Sequence, residues 1–155
     1  MHREELKTAV IFIGIQGTGK SSFYLERFFH THVRLNLDML KTKHRQQALL
    51  DACLASKQPF VVDNTNATVE KRSYFISAAR AAGFRVVGYY LRSDLDSALS
   101  RNDERGPLSR IPKIGLLGTY KQMQLPDRKE GFDELYYVRI SGYGEFVVEE
   151  WLNEV

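Results

Sequence analysis

The stretch Gly14-Ile15-Gln16-Gly17-Thr18-Gly19-Lys20-Ser21 decides the fold, because it satisfies the pattern G-x-x-x-x-G-K-[ST] of a phosphate-binding loop. An apolar run typical of a strand, residues 9–13, precedes it, and residues 21–30 have the pattern of a helix. This order places backbone N–H groups and the positive end of a helix dipole around a polyphosphate. A glycine-rich turn with an unrelated lysine is the alternative, and both flanks argue against it.

The residue types in this loop predict how it would hold a nucleotide. Its glycines let backbone N–H groups turn towards the phosphates, Lys20 reaches the β- and γ-phosphates, and the Ser21 hydroxyl can ligate Mg²⁺. We therefore predict ATP and Mg²⁺ as the cofactors. The predicted nucleotide contacts are Gly14, Gly17, Thr18, Gly19, Lys20, Ser21 and Ser22.

The composition predicts one ordinary globular domain over residues 1–155, with 43% apolar and 26% charged residues. The net charge of +3 permits contact with nucleic acid without requiring it. Cys53 is the only cysteine, which excludes an internal disulfide, and we expect it in the core. No run approaches the ~18 apolar residues of a membrane span and no signal peptide is visible, so we expect a cytoplasmic protein without membrane contact.

Strand-like and helical segments alternate along the chain, which predicts an α/β fold with a mainly parallel sheet flanked by helices. After the first strand and helix, strands are predicted at 32–37, 59–62 and 84–91, and helices at 39–56, at 67–82 and from Ser93 or Asp94. The charged residues 101–112, punctuated by Gly and Pro, predict a small lid. An amphipathic segment at 113–125 and two short strands at 136–140 and 146–148 complete the prediction.

Asn36-Leu37-Asp38 follows the second predicted strand, so Asp38 would project into the cleft beside the phosphate loop. Its carboxylate could there accept the proton of an attacking hydroxyl and orient that hydroxyl for in-line attack. An aspartate is equally suited to cap the helix predicted from residue 39. Catalysis and capping are both open for Asp38 at this point.

Asp63-Asn64-Thr65-Asn66 directly follows the third predicted strand. Asp63 is in a position to hold Mg²⁺, directly or through water. Thr65 and Asn66 offer short polar groups at the cleft. The alternative is capping or turn formation before the next helix, which is favoured for Asn66.

Two arginines of the predicted lid, Arg101 and Arg105, are four residues apart and would share one face if a helix extends that far. Arginines that close over phosphates stabilise the negative charge of the transition state, so we predict both as catalytic residues. Solvent-exposed arginines without this role are the alternative.

Together these motifs resemble the kinase domain of polynucleotide 5′-hydroxyl kinases, both the phage type and the kinase half of the animal kinase-phosphatase. The resemblance covers nearly the whole chain. It implies a P-loop NTPase fold and ATP-dependent transfer of the γ-phosphate to the 5′-OH end of DNA or RNA, with Asp38 and Lys20 as catalytic residues. It rests on the loop at 14–21, Asn36-Leu37-Asp38, Asp63-Asn64-Thr65-Asn66, Arg101-Asn102-Asp103-Glu104-Arg105 and Glu130-Gly131-Phe132.

The resemblance also implies substrate contacts, while its departures leave the acceptor open. Lys41 is at the position where the phage type has an arginine on the substrate's phosphate, and Thr65 is a candidate for the same ligand. Leu37 replaces an arginine common in the family. Because kinases of the zeta-toxin and antibiotic-phosphotransferase type share the loop and the aspartate, a small hydroxyl compound is the alternative acceptor. A nucleotide-gated binding module is a third alternative, and any 3′-phosphatase is expected on a separate chain.

Overall fold

A computed structural model describes residues 7–92, 95–106 and 111–152 of the chain. In chain order its elements are β1 (Thr8–Ile13), α1 (Lys20–Arg27), β2 (Val33–Leu35), α2 (Leu37–Leu40), α3 (Lys43–Ser56), β3 (Phe60–Val62), α4 (Val69–Ala81), β4 (Arg85–Leu91), α5 (Leu95–Glu104), α6 (Lys113–Gln122), a 3₁₀ turn (Arg128–Glu130), β5 (Glu134–Ile140) and β6 (Phe146–Glu150). The strands form one sheet in the order β2-β3-β1-β4-β5-β6, parallel except for the pair β5 and β6. This confirms the predicted α/β fold. No helix within these ranges is long and apolar enough to cross a membrane.

β1 lies in the interior of the sheet and is buried on both faces. On one side Ile11 packs in a cluster with Leu50 and Cys53 of α3, and on the other side Phe12 packs with Phe23 of α1. Successive residues of a strand point to opposite faces, so this uninterrupted apolar run suits a strand covered by helices on both sides. The predicted core position of Cys53 is confirmed.

The strand register brings three of the predicted motifs to one edge of the sheet. Ile11 of β1 is opposite Val62 of β3, and Val62 is also opposite Leu35 of β2. The phosphate loop and the motifs that begin at Asn36 and Asp63 therefore leave the sheet side by side. Open α/β sheets bind their ligands at this carboxyl edge.

The single helix predicted over residues 39–56 is wrong, because the chain divides it into α2 and α3. Lys41 has a φ of 75°, which interrupts the helix. The Thr42 side chain then caps α3 by accepting a hydrogen bond from the Arg45 N–H at 3.1 Å. A threonine at this position satisfies an N–H group that a helix start leaves unpaired, and a second helix begins there.

The capping role favoured for Asn66 is also wrong. Thr68 caps α4, with its hydroxyl accepting from the Lys71 N–H at 3.2 Å. Asn66 is buried with a φ of 46°, and its Nδ2 donates to the Phe12 carbonyl at 2.7 Å. Asn66 therefore ties the end of β1 to the segment after β3.

A buried ion pair holds the segment before β5 against α4. Arg72 donates through Nε and Nη2 to the two carboxylate oxygens of Glu130 at 2.8 and 3.1 Å. Its Nη1 donates to the carbonyls of Asn66 and Gln124 at 2.9 and 3.0 Å. Both side chains are nearly inaccessible, 0% and 7% exposed, so the motif Glu130-Gly131-Phe132 has a structural role.

The two short strands predicted near the C-terminal end are present as β5 and β6. They pair in antiparallel register, with Ile140 opposite Phe146, around a turn in which Gly144 has a φ of 78°. The Trp151 ring, just after β6, packs against Tyr90 of β4 at a centroid distance of 5.3 Å. This hairpin closes the sheet on the side away from β2.

Candidate active site

The phosphate loop joins β1 to α1 and requires its glycines. Gly17 and Gly19 have φ angles of 82° and 94°, which residues with a Cβ rarely adopt. A Cβ on Gly17 would lie 2.9 Å from the Ala98 carbonyl oxygen, and one on Gly14 would lie 3.0 Å from Thr18 Oγ1. Because α1 begins directly after the loop, its N-terminus and the loop's N–H groups form an anion site.

A cavity of about 780 Å³ opens beside this loop, a volume within the range of small-molecule sites. Within the phosphate loop, the buried Thr18 hydroxyl donates to the Ile15 carbonyl at 3.0 Å and so stabilises the conformation of the loop. The structure therefore gathers most of the predicted site residues around one space. Those that line the cavity are Gly17, Gly19, Lys20, Ser21, Ser22, Asp38, Asp63, Thr65 and Arg105.

Lys20 lies against its own loop. Its Nζ donates to the carbonyls of Gly14 and Ile15 at 2.9 and 2.8 Å. The pKa of Lys20 is lowered from 10.5 to about 8, chiefly because burial disfavours the charged ammonium; Asp63 partly offsets this, Arg105 adds to the lowering, and Asp38 opposes it slightly. An anionic phosphate at the loop would favour the charged form of Lys20 and raise this pKa.

Ser21 and Asp63, the predicted magnesium ligands, meet at one side of the cavity. Ser21 Oγ donates to Asp63 Oδ2 at 3.4 Å, and the Asp63 side chain is 1% exposed. Arg34 of β2 contacts both: its Nε donates to Asp63 Oδ2 at 2.8 Å and its Nη2 to Ser21 Oγ at 2.9 Å. The sequence analysis missed Arg34, because this contact depends on the pairing of β2 with β3.

Asp38 lies in the first turn of α2 and lines the cavity with an exposed side chain. The cap of this helix is Asn36, whose Oδ1 accepts from the Met39 N–H at 2.9 Å. The Asn36 Nδ2 also donates to the Asp63 carbonyl at 2.6 Å, which fixes the start of α2 beside β3. The capping alternative for Asp38 is therefore excluded, and its carboxylate faces the cavity.

The two residues predicted to contact the substrate lie in different places. Thr65 lines the cavity, and its carbonyl accepts from the Gly14 N–H at 3.1 Å. Lys41 lies at the break between α2 and α3 and is not among the lining residues. Lys43, at the start of α3, lines the cavity in its place. Substrate contact by Lys41 stays a prediction.

Four side chains of α3 and α4 form a further wall of the cavity, the far wall. Lys43 and Gln46 belong to α3, and Lys71 and Tyr74 belong to α4; sequence reasoning missed Gln46, Lys71 and Tyr74. The Tyr74 ring is 52% exposed. Asn64 Nδ2 donates to Gln46 Oε1 at 2.8 Å, which ties α3 to the segment after β3. The spacing of Lys71 and Tyr74 on a helix that follows the Asp63 motif was the available signal.

The two lid arginines line different cavities beside the phosphate loop. α5 ends at Glu104, so Arg105 lies beyond the helix and lines the large cavity. Arg101 donates to the Gly17 carbonyl at 3.0 Å and lines a second, smaller cavity of about 90 Å³ next to Phe146. The predicted helix start at Ser93 or Asp94 and lid residues 107–110 lie outside the described residues. The catalytic roles of both arginines stay predictions.

These residues fit a nucleotide with Mg²⁺. Hydroxyl and carboxylate oxygens are the hard ligands that Mg²⁺ prefers, so Ser21 and Asp63 would hold the ion, directly or through water. Bound there, the ion would neutralise charge on the phosphoryl group in transfer. Across the described ranges, no cluster of three or more His, Cys, Asp or Glu side chains could hold a metal ion. The hydroxyl–carboxylate pair of Ser21 and Asp63 is the metal candidate, because its two oxygens meet beside the phosphate loop.

A mostly parallel sheet, a glycine-rich loop followed by a helix, and a buried carboxylate after β3 define the class of P-loop nucleotide-binding proteins. Residues 10–123 match the family model described as an AAA domain, which covers more than half of the chain. The chain therefore belongs to this AAA domain family.

Curated relatives confirm the resemblance to polynucleotide kinases. The chain is 27% identical over 134 residues to the bifunctional polynucleotide phosphatase/kinase of Schizosaccharomyces pombe (84% of this chain, 33% of the relative). It is 26% identical to a putative enzyme of the same name from Acanthamoeba polyphaga mimivirus (83% and 32%). It is 29% identical to the L-seryl-tRNA(Sec) kinase of Methanococcus maripaludis (69% and 41%). The chain thus spans about a third of the first two relatives.

Solved structures share the fold. A gluconokinase from Sinorhizobium meliloti 1021 superposes with a TM-score of 0.62 at 15% identity, over 89% of this chain and 85% of that chain. A chain of the Pnkp1/Rnl/Hen1 RNA repair complex superposes with a TM-score of 0.65 at 20% identity, over 85% and 48%. A gluconokinase and an RNA repair protein therefore share this architecture, and the fold alone does not select the acceptor.

Proposed function

We propose that the protein transfers the γ-phosphate of ATP, with Mg²⁺, to the 5′-OH end of a nucleic acid. The observation that carries this proposal is the single cavity shared by the phosphate loop, Asp38 and the wall formed by α3 and α4. The two curated relatives named as polynucleotide phosphatase/kinases support it.

In the proposed reaction the acceptor hydroxyl oxygen attacks the γ-phosphorus, and the bond from this phosphorus to the β–γ bridging oxygen breaks. Asp38 accepts a hydrogen bond from the hydroxyl, orients it and receives its proton as the new bond forms. Lys20 and the loop N–H groups hold the phosphates, while Arg105 lines the same cavity and adds positive charge near the transferred group.

The far wall of the cavity favours a nucleic-acid end over a small sugar. Lys43 and Lys71 offer two exposed ammonium groups to phosphates that flank the acceptor nucleotide. Tyr74 offers an exposed ring on which a base can stack, an interaction that tolerates any base. A small polyol has neither a base to stack on the ring nor flanking phosphates for two cations, so these side chains support the larger acceptor.

The direct test is transfer of labelled γ-phosphate from ATP, with Mg²⁺, to single-stranded 5′-OH oligonucleotides of DNA and RNA. Asp38→Asn keeps the size of the side chain and removes the base, so we expect kcat to fall by about 10²–10⁴ while ATP binding persists. Asp51→Asn is the matched control, because Asp51 is an exposed aspartate of α3 that pairs with Gln47. This control is expected to keep full activity.

The outcomes separate the alternatives. Labelled oligonucleotide with the wild type and not with Asp38→Asn supports the proposal. Labelling of a small hydroxyl compound alone would overturn the acceptor and favour a small-molecule kinase. ATP binding without transfer to any hydroxyl would favour a nucleotide-gated binding module.

The contribution of the far wall is tested by Tyr74→Ala. Loss of one stacked base costs about 1–3 kcal/mol, so we expect the KM for a 5′-OH oligonucleotide to rise by about 5- to 150-fold with the KM for ATP unchanged. Tyr120→Ala removes a similarly exposed tyrosine from α6 outside the cavity lining and is the control. Equal KM values for both variants would show that the acceptor does not stack on Tyr74.

A further inference from the structure

Arg34 contacts both residues of the metal candidate, Ser21 and Asp63, which is an unusual position for a positively charged side chain. It is the central residue of β2, and its guanidinium spans the two groups that would hold Mg²⁺, at 2.8 Å from Asp63 Oδ2 and 2.9 Å from Ser21 Oγ. The guanidinium carbon lies 5.9 Å from the centre of the Tyr24 ring, and Nη1 lies 4.0 Å from Met39 Sδ. The Arg34 side chain is 24% exposed, so it has a path to solvent.

A metal ion bound directly to Ser21 and Asp63 would need the oxygen atoms that accept hydrogen bonds from the guanidinium. Mg²⁺ requires its oxygen ligands at about 2.0–2.1 Å in near-octahedral geometry. Arg34 donates to Asp63 Oδ2 and to Ser21 Oγ, and these two oxygens lie 3.4 Å apart.

The charge of Asp63 explains why a cation is needed there before a nucleotide binds. A carboxylate that is 1% exposed is unfavourable without a counter-charge or hydrogen-bond donors. Arg34 supplies both and keeps Ser21 and Asp63 within 3.4 Å of each other. Two cations at one carboxylate repel each other, so binding of one weakens binding of the other.

We propose that Arg34 is a positioning residue that holds Ser21 and Asp63 in the nucleotide-free protein and gives up both when Mg²⁺ binds with the nucleotide. Arg34 thereby sets how much Mg²⁺ the protein needs to bind its nucleotide. The inference rests on the proposed function only for the use of Mg²⁺ and ATP. Its test involves no acceptor, so failure of the acceptor assignment and failure of this inference are distinguishable.

The test measures binding of fluorescent ADP as a function of Mg²⁺ for the wild type and Arg34→Met, which keeps an apolar stem and removes the charge. We expect the half-saturating Mg²⁺ concentration to fall by about fivefold or more, because the competing cation is gone. In EDTA we expect Arg34→Met to melt at a lower temperature than the wild type, since Asp63 loses its partner. Saturating Mg²⁺ and ADP should narrow this difference, since binding stabilises the folded state.

Arg80→Met is the control, because Arg80 does not line the cavity and pairs instead with Asp133, at an N–O distance of 3.5 Å. It should leave the Mg²⁺ dependence unchanged. Arg34→Gln, which keeps a hydrogen-bond donor without the charge, serves as a second variant if Arg34→Met does not fold. An unchanged half-saturating Mg²⁺ concentration would overturn the proposal in favour of a purely structural role. Weaker ADP binding at saturating Mg²⁺ would overturn it in favour of direct contact with phosphate.

Discussion

Two arginine–carboxylate pairs have the same length but differ in burial and in the number of their hydrogen-bond partners. Arg34 to Asp63 and Arg72 to Glu130 both measure 2.8 Å. Arg72 is fully buried and donates to two carboxylate oxygens and two backbone carbonyls. Arg34 is partly exposed and donates to one carboxylate oxygen and one hydroxyl, with a weak contact to sulfur.

A third pair, Arg128 to Glu150, also measures 2.8 Å, but its side chains are 48% and 72% exposed. The three pairs together show that distance does not define the role of an ion pair. Burial and the number of fixed partners do, because they determine the desolvation cost of breaking the pair. The Arg34–Asp63 pair is therefore suited to exchanging its arginine for another cation, and the Arg72–Glu130 pair to staying intact. The Arg128–Glu150 pair contributes little to stability.

The largest effect is expected from Arg72→Met. It leaves the Glu130 carboxylate buried without its cation and removes the donors to two carbonyls, so the free energy of unfolding should fall by about 3–5 kcal/mol. Urea denaturation of the nucleotide-free protein measures this. If the free energy of unfolding fell by as little as it does for an exposed pair, burial would not distinguish the Arg72–Glu130 pair from the Arg128–Glu150 pair.

Gly131→Ala tests the backbone that presents Glu130 to Arg72. Gly131 has a φ of 112°, and an added Cβ would lie 2.9 Å from Ile76 Cγ2. We expect a loss of about 1–3 kcal/mol in the free energy of unfolding. Gly118→Ala is the control, because a Cβ on this α6 residue meets no described atom within 4 Å. Helix propensity alone should make that variant more stable by up to about 1 kcal/mol.

Lys20 is a cation of a different kind, because its ammonium donates to the backbone carbonyls of Gly14 and Ile15. The pKa of Lys20 is about 8 in the folded protein against an ordinary 10.5, so the unfolded chain holds more protons between these values. Burial of the charge thus destabilises the nucleotide-free protein fully below pH 8, and this penalty disappears as the pH rises towards 10.5. After allowance for solvent, Lys20→Met should be more stable at pH 7 by on the order of 1 kcal/mol.

Urea midpoints of wild type and Lys20→Met in EDTA, at several pH values from 7 to about 10, check this prediction. The difference between the urea midpoints of the wild type and Lys20→Met should become smaller as the pH rises. Lys121→Met is the control, because it removes an exposed lysine from the last turn of α6. A constant difference for Lys20→Met would mean that its ammonium is fully hydrated in the folded protein.

The smallest effect is expected from Glu150→Gln, which removes the exposed partner of Arg128. The free energy of unfolding should change by less than about 1 kcal/mol, and less still at high salt, because water and ions screen the pair. Chemical denaturation at low and high salt measures it. A loss comparable to that of Arg72→Met would contradict the role given to burial.

The sequence was sufficient for the parts of the molecule that depend on local pattern. The glycines, the apolar run before them and the polar motifs after each strand predicted the α/β order and the gathering of Asp38 and Asp63 at one edge. The break at Lys41 was not predicted, because the helical pattern continues across it and only the Thr42 cap interrupts it. That break is why Lys43 lines the cavity and Lys41 does not.

Contacts that depend on strand pairing could not be read from the chain. Arg34 reaches Asp63 only because β2 pairs with β3, with Leu35 opposite Val62. Tyr74 was equally hidden, since a single aromatic residue on a helix is more often part of the core. Both became visible only when the helices and strands were placed together.

β2, the strand that carries Arg34, also affects whether copies of this protein associate through the edges of their sheets. β2, at one margin of the sheet, has only three residues. At the other margin β6 ends in Glu149 and Glu150, which places negative charge on its outer end. Short or charged margins resist the strand-to-strand association that leads to aggregation. The brevity of β2 therefore protects the sheet, and substitutions that lengthen this strand would remove part of that protection.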